Sequence, residues 1–405
     1  MKKITIIFLL LISVLLLTSC DDEPQEEIDY LSLYGPNFKM ENMYPTKNNL
    51  YGMCDISWSN YSWYGIDYKM SAQLIQNLGS KSVRLWLHCH WVMDDPTTYD
   101  EKGLSLAKSI VDGLTEKGIE IVGLNHGNFH PQGMANSLSN TAKPARDLTE
   151  GSLYMNWLND YKTTWYNLVK QFPEIKYWEI DNEPNNDLFF ENLAGGTFSL
   201  KEKAQIFSDM LYFASLGIHE ANPEANTIMG GIVVNRAETF LEYMYDEIYS
   251  ENSWSKYPDD YFQIAAWHPY LSTFTAEKFA KTNDGIYEVI KNREGKDKRV
   301  MFTEYGYSEV LANLNDCNTY LEQTFKFFET CPYLESTYYF RMYDALGTNW
   351  GVAAGKKYGL FTDPTTHGMD NSNEVLAAPK MTAYTFQKYA GGSGSLTIYE
   401  EFLKK

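Results

Sequence analysis

This sequence is short of cations, of cysteines and of glycine motifs, and each shortage removes a class of function. Its 405 residues carry 34 Lys and Arg against 53 Asp and Glu, a formal charge of −19. Such a surface repels phosphate backbones, so no nucleic-acid partner is expected. There is no Walker-type or dinucleotide-type glycine pattern, and the five cysteines do not fall at zinc-type spacings, so no cofactor and no metal are implied. Long hydrophobic runs are also scarce. The one that stands out, Ile4–Leu17, is too short to span a membrane comfortably. What the chain does have is apolar substance: 44% hydrophobic and 15% aromatic residues, enough for one large core or two ordinary domains.

The apolar run follows Lys2 and Lys3 and ends in Leu17-Thr18-Ser19-Cys20. That ending resembles the lipobox of bacterial lipoproteins. The resemblance implies a signal peptide over residues 1–19, lipid on Cys20 and anchoring in the outer membrane; an ordinary cleaved secretory signal is the alternative. Asp21-Asp22-Glu23 is similar to the surface-export signals of Bacteroidetes lipoproteins, which implies a cell-surface location. Residues 20–47 are polar and sparsely apolar and read as a tether. Export permits disulfides without requiring them. Cys317 and Cys331 lie at opposite ends of one predicted helix, about 21 Å apart and too far to bridge. Cys54 and Cys89 lie near the ends of neighbouring predicted strands, where either a bridge or two buried thiols would fit.

From residue 50 short apolar runs alternate with segments of helical period. Strands are expected at Leu50–Ile56, Ser82–His88, Ile119–Asn125, Lys176–Glu183, Thr227–Val234, Phe262–His268, Arg299–Glu304 and Thr337–Tyr343. Helices are expected at Ile66–Leu78, Leu104–Lys117, Leu153–Phe172, Leu200–Ala221, Ala237–Tyr249, Ala276–Asn292, Cys317–Thr330 and Lys380–Tyr389. Alternation argues for a parallel sheet, and eight units for closure into a (β/α)8 TIM barrel over residues 48–392, with 393–405 as a tail. An open doubly wound sheet is the runner-up, but it has no glycine-rich first turn to support it. The loop after strand 1 holds Trp58, Tyr61, Trp63 and Tyr64. These rings suit the apolar faces of sugars; a hydrophobic cluster under a long loop is the other reading.

Polar residues recur at the C-terminal ends of different strands: Arg84 on strand 2, His126 after strand 3, Asn182 and Glu183 on strand 4, His268 and Tyr270 on strand 6, Glu304 on strand 7. A barrel converges these ends on one face, setting the two carboxylates across the mouth from each other. Arg84 and Tyr270 would hold one carboxylate ionised; the other, less compensated, would stay protonated. Two carboxyls with separated pKa values are what glycoside hydrolysis needs.

Trp178-Glu179-Ile180-Asp181-Asn182-Glu183-Pro184-Asn185 and Phe302-Thr303-Glu304-Tyr305-Gly306 resemble the paired glutamate motifs of the clan A glycoside hydrolases, most closely families 5 and 39. Tyr358-Gly359-Leu360-Phe361 and Ala378-Pro379-Lys380-Met381-Thr382-Ala383-Tyr384 are similar to segments near the end of that barrel. The resemblance covers about residues 50–390. It implies a retaining hydrolase of β-linked polysaccharide or oligosaccharide, with Glu183 as general acid/base and Glu304 as nucleophile. It further implies Asn182 on the sugar 2-hydroxyl, Arg84 and Tyr270 on Glu304, His268 beside Glu183 and His126 in a subsite. Two positions depart from it. Asp181 stands where the clan has an aromatic residue, and would either raise the pKa of Glu183 or contact substrate. No clear tryptophan ends strand 8, leaving Tyr339 or Phe340 to stack the sugar.

Each site residue also has a plainer reading. Arg84 would make a barrel ion pair with Glu179, and His268 and Tyr270 would be satisfied core groups. Two other classes compete: a metal-dependent barrel hydrolase built on His88-Cys89-His90, and a non-catalytic glycan-binding surface lipoprotein.

Overall fold

The computed structural model describes residues 50–54, 68–129, 141–344, 357–362 and 378–397. The strands are β1 (Tyr51–Cys54), β2 (Ser82–Trp86), β3 (Glu120–Asn125), β4 (Tyr177–Ile180), β5 (Asn226–Met229), β6 (Ile232–Val233), β7 (Ile264–His268), β8 (Arg299–Tyr305) and β9 (Leu334–Tyr339). All pair in parallel, in the order β5-β4-β3-β2-β1-β9-β8-β7-β6, and a β5–β7 pairing at Ile228 and Ile264 closes the ring. The fold is a (β/α)8 TIM barrel, with β5 and β6 as two pieces of one broken fifth strand. Between the strands run α1 (Tyr68–Leu78), α2 (Cys89–Val92), α3 (Glu101–Thr115), α4 (Leu153–Gln171), α5 (Leu200–Ala221), α6 (Ala237–Ile248), α7 (Ala276–Glu294), α8 (Leu314–Thr330) and α9 (Met381–Ala390). Among the described residues no helix is long and apolar enough to cross a membrane.

Local chemistry explains the helix ends. Ser199 and Glu202 form a reciprocal capping box at the start of α5, and Gly295 closes α7 at a left-handed φ of 66°. The buried stripe Trp157, Tyr161, Trp165 and Leu168 on α4 follows helical spacing and packs that helix on the barrel, where the Trp165 and Trp178 rings lie 6.1 Å apart. Along β4 the side chains alternate: Trp178 faces α4, while Glu179 points inward to Arg84.

The strand ends differ from expectation for identifiable reasons. β2 stops at Trp86 because the short helix α2 opens at Cys89. β4 stops at Ile180 because Asp181 turns to a left-handed φ of 69°. Strand 5 breaks at Gly230-Gly231, where the neighbouring chain comes too close for a side chain. A Cβ on Gly230 would lie 2.5 Å from the Asp181 carbonyl oxygen, and one on Gly231 would lie 2.2 Å from His268 Nε2. β9 starts three residues early, at Leu334, with Glu335 bound to Arg299 on β8 at 2.6 and 2.7 Å. Helix α8 starts at Leu314, ahead of Cys317, because the Asn313 side chain caps it. None of Cys54, Cys89, Cys317 and Cys331 is in a disulfide; all four are buried thiols.

Because backbone faces Gly230, there is no flexible side chain to give way. Gly230→Ala is expected to lower unfolding free energy by about 1–3 kcal/mol, measured by urea denaturation; an unchanged midpoint would mean the close approach does not exist in solution.

Candidate active site

Arg84 is the hub of the barrel mouth. It is fully buried. Its Nε and Nη2 donate to Glu179 at 2.5 and 3.0 Å, Nη1 donates to Glu304 at 2.6 Å, and Nη2 donates to Asn182 at 2.7 Å. Cys54 Sγ on β1 completes the shell at 3.6 Å. Burial opposes the charge, and the neighbouring acids, Glu179 foremost, overcome it and raise the Arg84 pKa well above the usual guanidinium value. The barrel ion pair and the site contact are therefore both real, made by one side chain.

Glu304 reaches this hub through an irregularity. On β8 Phe302 faces outward, against Phe328 of α8. Strict alternation would send Glu304 to the same outer side. The register between β8 and β9 shifts between Phe302 and Tyr305, where Thr303 and Glu304 oppose the single residue Tyr338, and this bulge re-aims the chain. Thr303 then bonds His268, Glu304 meets Arg84, and Tyr305 packs outward on Phe328. Tyr270 Oη donates to the other Glu304 oxygen at 3.1 Å. Burial and then the charge on Glu304 push the Tyr270 phenol well up, so it stays a neutral donor.

Glu183 stands opposite, at a left-handed φ of 47°. His268 Nδ1 lies 3.0 Å from its Oε1, and Asn186 donates to its Oε2 at 2.7 Å. Burial raises its pKa, but the His268 and Asn186 bonds outweigh burial and hold it below the usual glutamate value. This reverses the expectation that Glu183 is the less compensated, protonated carboxyl. Arg84 and Tyr270 are not the only compensating groups at the mouth, because His268 and Asn186 serve Glu183. One carboxylate oxygen of each glutamate and a nitrogen of His268 lie within 4.8 Å of one another, so these three groups could also hold a divalent ion.

Arg84, Asn182, Glu183, His268, Tyr270 and Glu304 thus converge. His126 sits farther out, in a cluster with His88 at 4.3 Å and Phe189 at 5.9 Å between ring centroids. Trp58, Trp63 and Cys20 lie outside the described residues. Asp181 is fully buried, and its carboxylate is 3.0 Å from the Lys143 ammonium. Of the two candidate sugar-stacking aromatics, Tyr339 is buried against Phe386 of α9, on the helix side. Phe340 is half-buried at the mouth, its ring 5.8 Å from that of Tyr358, which is 5.9 Å from Tyr270. Three further residues support the site: Glu179 on Arg84, Asn186 on Glu183 and Thr303 on His268. The inward phase of Glu179 relative to Trp178 was a usable signal; the other two had none.

His88-Cys89-His90 is not arranged as a ligand set. The two imidazoles stack, with centroids 5.1 Å apart and planes at 27°, and burial pushes the Cys89 thiol up to about 12, away from the thiolate a metal prefers.

A family profile described as cellulase (glycosyl hydrolase family 5) matches residues 40–339. The chain belongs to glycosyl hydrolase family 5. It is therefore a glycosidase, and its substrate is a glycan. No curated protein matches the sequence. Among solved structures, a family 39 glycoside hydrolase from the gut symbiont Bacteroides cellulosilyticus WH2 is similar, with a TM-score of 0.57 and 14% identity over 85% of this chain and 64% of that one. This family 5 chain thus spans a little under two thirds of that enzyme's length. The GH5_18 protein of Bifidobacterium longum subsp. infantis has a TM-score of 0.57 and 14% identity, covering 84% of this chain and 78% of that one. A family 1 β-glucosidase from Thermotoga maritima has a TM-score of 0.55 and 15% identity, covering 87% and 99%. These likenesses are of fold.

The histidine cluster beside the site makes stability pH-dependent. Burial lowers all three pKa values, that of His90 to about 4 and those of His88 and His126 well below the usual value. The unfolded chain binds these protons near pH 6.5 and the native one does not, so stability falls as pH drops from about 6.5 towards about 4. For His90 alone the loss is up to about 3 kcal/mol. His90→Gln should therefore melt higher than the unsubstituted protein at pH 4.5 and about equally at pH 7.5; the same difference at both values would remove the histidine from the account.

Proposed function

We propose that this family 5 glycosidase cleaves β-linked bonds of a polysaccharide or oligosaccharide with retention of configuration. The observation that carries the proposal is the carboxyl spacing. A Glu183 oxygen lies within 4.8 Å of a Glu304 oxygen. Retaining enzymes hold their carboxyls about 5–5.5 Å apart, and inverting ones about 6.5–9.5 Å to admit a water. The cellulase description of the family supports the β-linkage.

Glu304, oriented by Arg84 and Tyr270, attacks the anomeric carbon. As that bond forms, the bond from the anomeric carbon to the leaving oxygen breaks, and Glu183 gives its proton to that oxygen. Water then attacks the glycosyl–Glu304 ester, Glu183 takes the water's proton, and Glu304 leaves as a carboxylate. Asn182, held by Arg84 at 2.7 Å, faces the sugar hydroxyl next to the reacting carbon. Phe340 lies beneath the ring.

The acid is braced by His268, whose Nδ1 lies 3.0 Å from Glu183 Oε1. When the sugar displaces water, the drier site favours the uncharged, protonated form of Glu183. His268 in this reading keeps the carboxyl aimed.

The roles separate chemically. Glu304→Ala should abolish turnover, and azide should restore part of it with inverted product. Glu183→Ala should slow glycosides with poor leaving groups by about 10²–10⁴-fold and activated aryl glycosides far less. Full activity in Glu304→Ala, or inverted azide product only with Glu183→Ala, would overturn the assignment.

We further infer that lipid on Cys20 anchors the chain in the outer membrane, on the resemblance of Leu17-Thr18-Ser19-Cys20 to a lipobox. Cys20→Ala is expected to appear in the soluble fraction or as unprocessed precursor on cell fractionation. A variant that stays membrane-bound and normally processed would contradict the anchor.

A further inference from the structure

Beside the acid glutamate lies a fully buried ion pair that the chemistry does not use. Lys143 and Asp181 have no solvent exposure, and the Lys143 ammonium is 3.0 Å from an Asp181 carboxylate oxygen. Burying two charges is costly, and their attraction offsets that cost only when the geometry is held on both sides.

It is held. Lys143 Nζ also donates to the Phe189 carbonyl at 3.2 Å and sits 4.5 Å over the Phe190 ring. Its backbone N–H donates to Glu191 and its carbonyl accepts from Leu193, both at 2.9 Å. Lys143 is thus clamped to the loop that follows Glu183. Asp181 is clamped to the strand end. Its N–H donates to Asn125 at 3.0 Å, and its Oδ1 accepts the N–H of Asn182 at 2.8 Å.

Between these clamps the backbone is left-handed at Asp181, φ 69°, and again at Glu183, φ 47°. A left-handed residue with a side chain is disfavoured, and two within three residues persist only when the surroundings over-determine them. Aspartate tolerates this conformation because its carboxylate bonds a neighbouring N–H, as it does here. An aromatic residue at 181 could not make that bond.

We infer that the Lys143–Asp181 pair is a positioning device for the catalytic acid: it locks the left-handed exit of β4 so that Asn182 turns to Arg84 and Glu183 to His268. Its two members touch no substrate. Burial lowers the Lys143 pKa and raises that of Asp181, and each partner's charge opposes the shift in the other, as a mutually dependent pair requires. The inference rests on Glu183 being the acid.

The test compares Asp181→Asn, the double variant Asp181→Asn with Lys143→Met, Glu183→Ala and the unsubstituted protein. Each is assayed on an activated aryl glycoside and on an oligosaccharide, with melting temperature measured alongside. Asparagine keeps the oxygen that accepts the Asn182 N–H but removes the ionic lock. The double variant buries no unpaired charge and carries the test if the single variant does not fold. Expected is a loss in kcat of about 10- to 100-fold on the oligosaccharide, with a far smaller loss on the aryl glycoside and KM changed by less than about two-fold. The loss should persist in the double variant even where its melting temperature is near normal. Equal losses on both substrates, or full recovery in the double variant, would reduce the pair to a structural role and overturn the inference. If Glu183→Ala shows leaving-group dependence and the pair variants do not, the pair alone fails. If Glu183→Ala shows none, the acid assignment fails and the inference falls with it.

Discussion

A guanidinium buried without solvent must find a partner for nearly every N–H, and the whole mouth of this barrel is arranged around that requirement at Arg84. Its bonds go to Glu179 and Asn182 at the end of β4 and to Glu304 on β8, with Cys54 of β1 alongside. Removing Arg84 would leave two carboxylates uncompensated in a low-dielectric interior. Because the partners come from strands far apart in sequence, Arg84 is satisfied only when the barrel is closed. The interaction that sets the site is thus also one that specifies the fold. The constraint propagates. Glu179, fixed by Arg84, accepts the N–H of Gly231 at 2.9 Å, and that approach is where strand 5 breaks.

Four backbone irregularities of the described barrel gather at this same end. Asp181 and Glu183 are left-handed, Gly230-Gly231 interrupts a strand, and β8 bulges between Phe302 and Tyr305. None would survive on an isolated strand. Here each is held by a side chain that needs it: the Lys143 pair at Asp181, the Gly231 carbonyl bonded to the Glu183 N–H at 3.0 Å, and Arg84 with Tyr270 on Glu304. At the opposite end a second register shift, between Val300 and Met301, leaves Glu335 as an extra residue on β9, and Arg299 binds it through two bonds at 2.6 and 2.7 Å. Left-handed residues and a broken strand held in place beside the catalytic groups are what a pre-organised site looks like.

The two glutamates differ less by burial than by partners. Glu304 is met by a permanent cation and a neutral phenol. Glu183 is met by an imidazole, which can hold or release a proton, and by an amide. One carboxylate is thereby aimed by a cation and a phenol and the other by an imidazole and an amide, within one small volume. The histidines beyond, His88, His90 and His126, are kept neutral by the same burial, so the ring faces near the mouth carry no competing charge.

Much of this was legible in the chain. The alternation of apolar runs and helical periods placed eight strands and the major helices within a few residues, since both periodicities follow from local backbone geometry. The positions of Arg84, Asn182, Glu183, His268, Tyr270 and Glu304 at strand ends were enough to bring them together once the strands close in parallel. What the sequence could not decide were matters of contact between distant segments. The partner of Asp181 is Lys143, in a different loop, and no local pattern announces it. The charge state of Glu183 depends on His268 and Asn186, not on its own neighbours in the motif. Glu304 faces the mouth only because a bulge reverses an alternation that local rules would continue. The linear chain determines which elements form and in what order. Which way a side chain points at their ends, and which charge it carries there, is decided by long-range packing and by burial, both of which exist only after the barrel has closed.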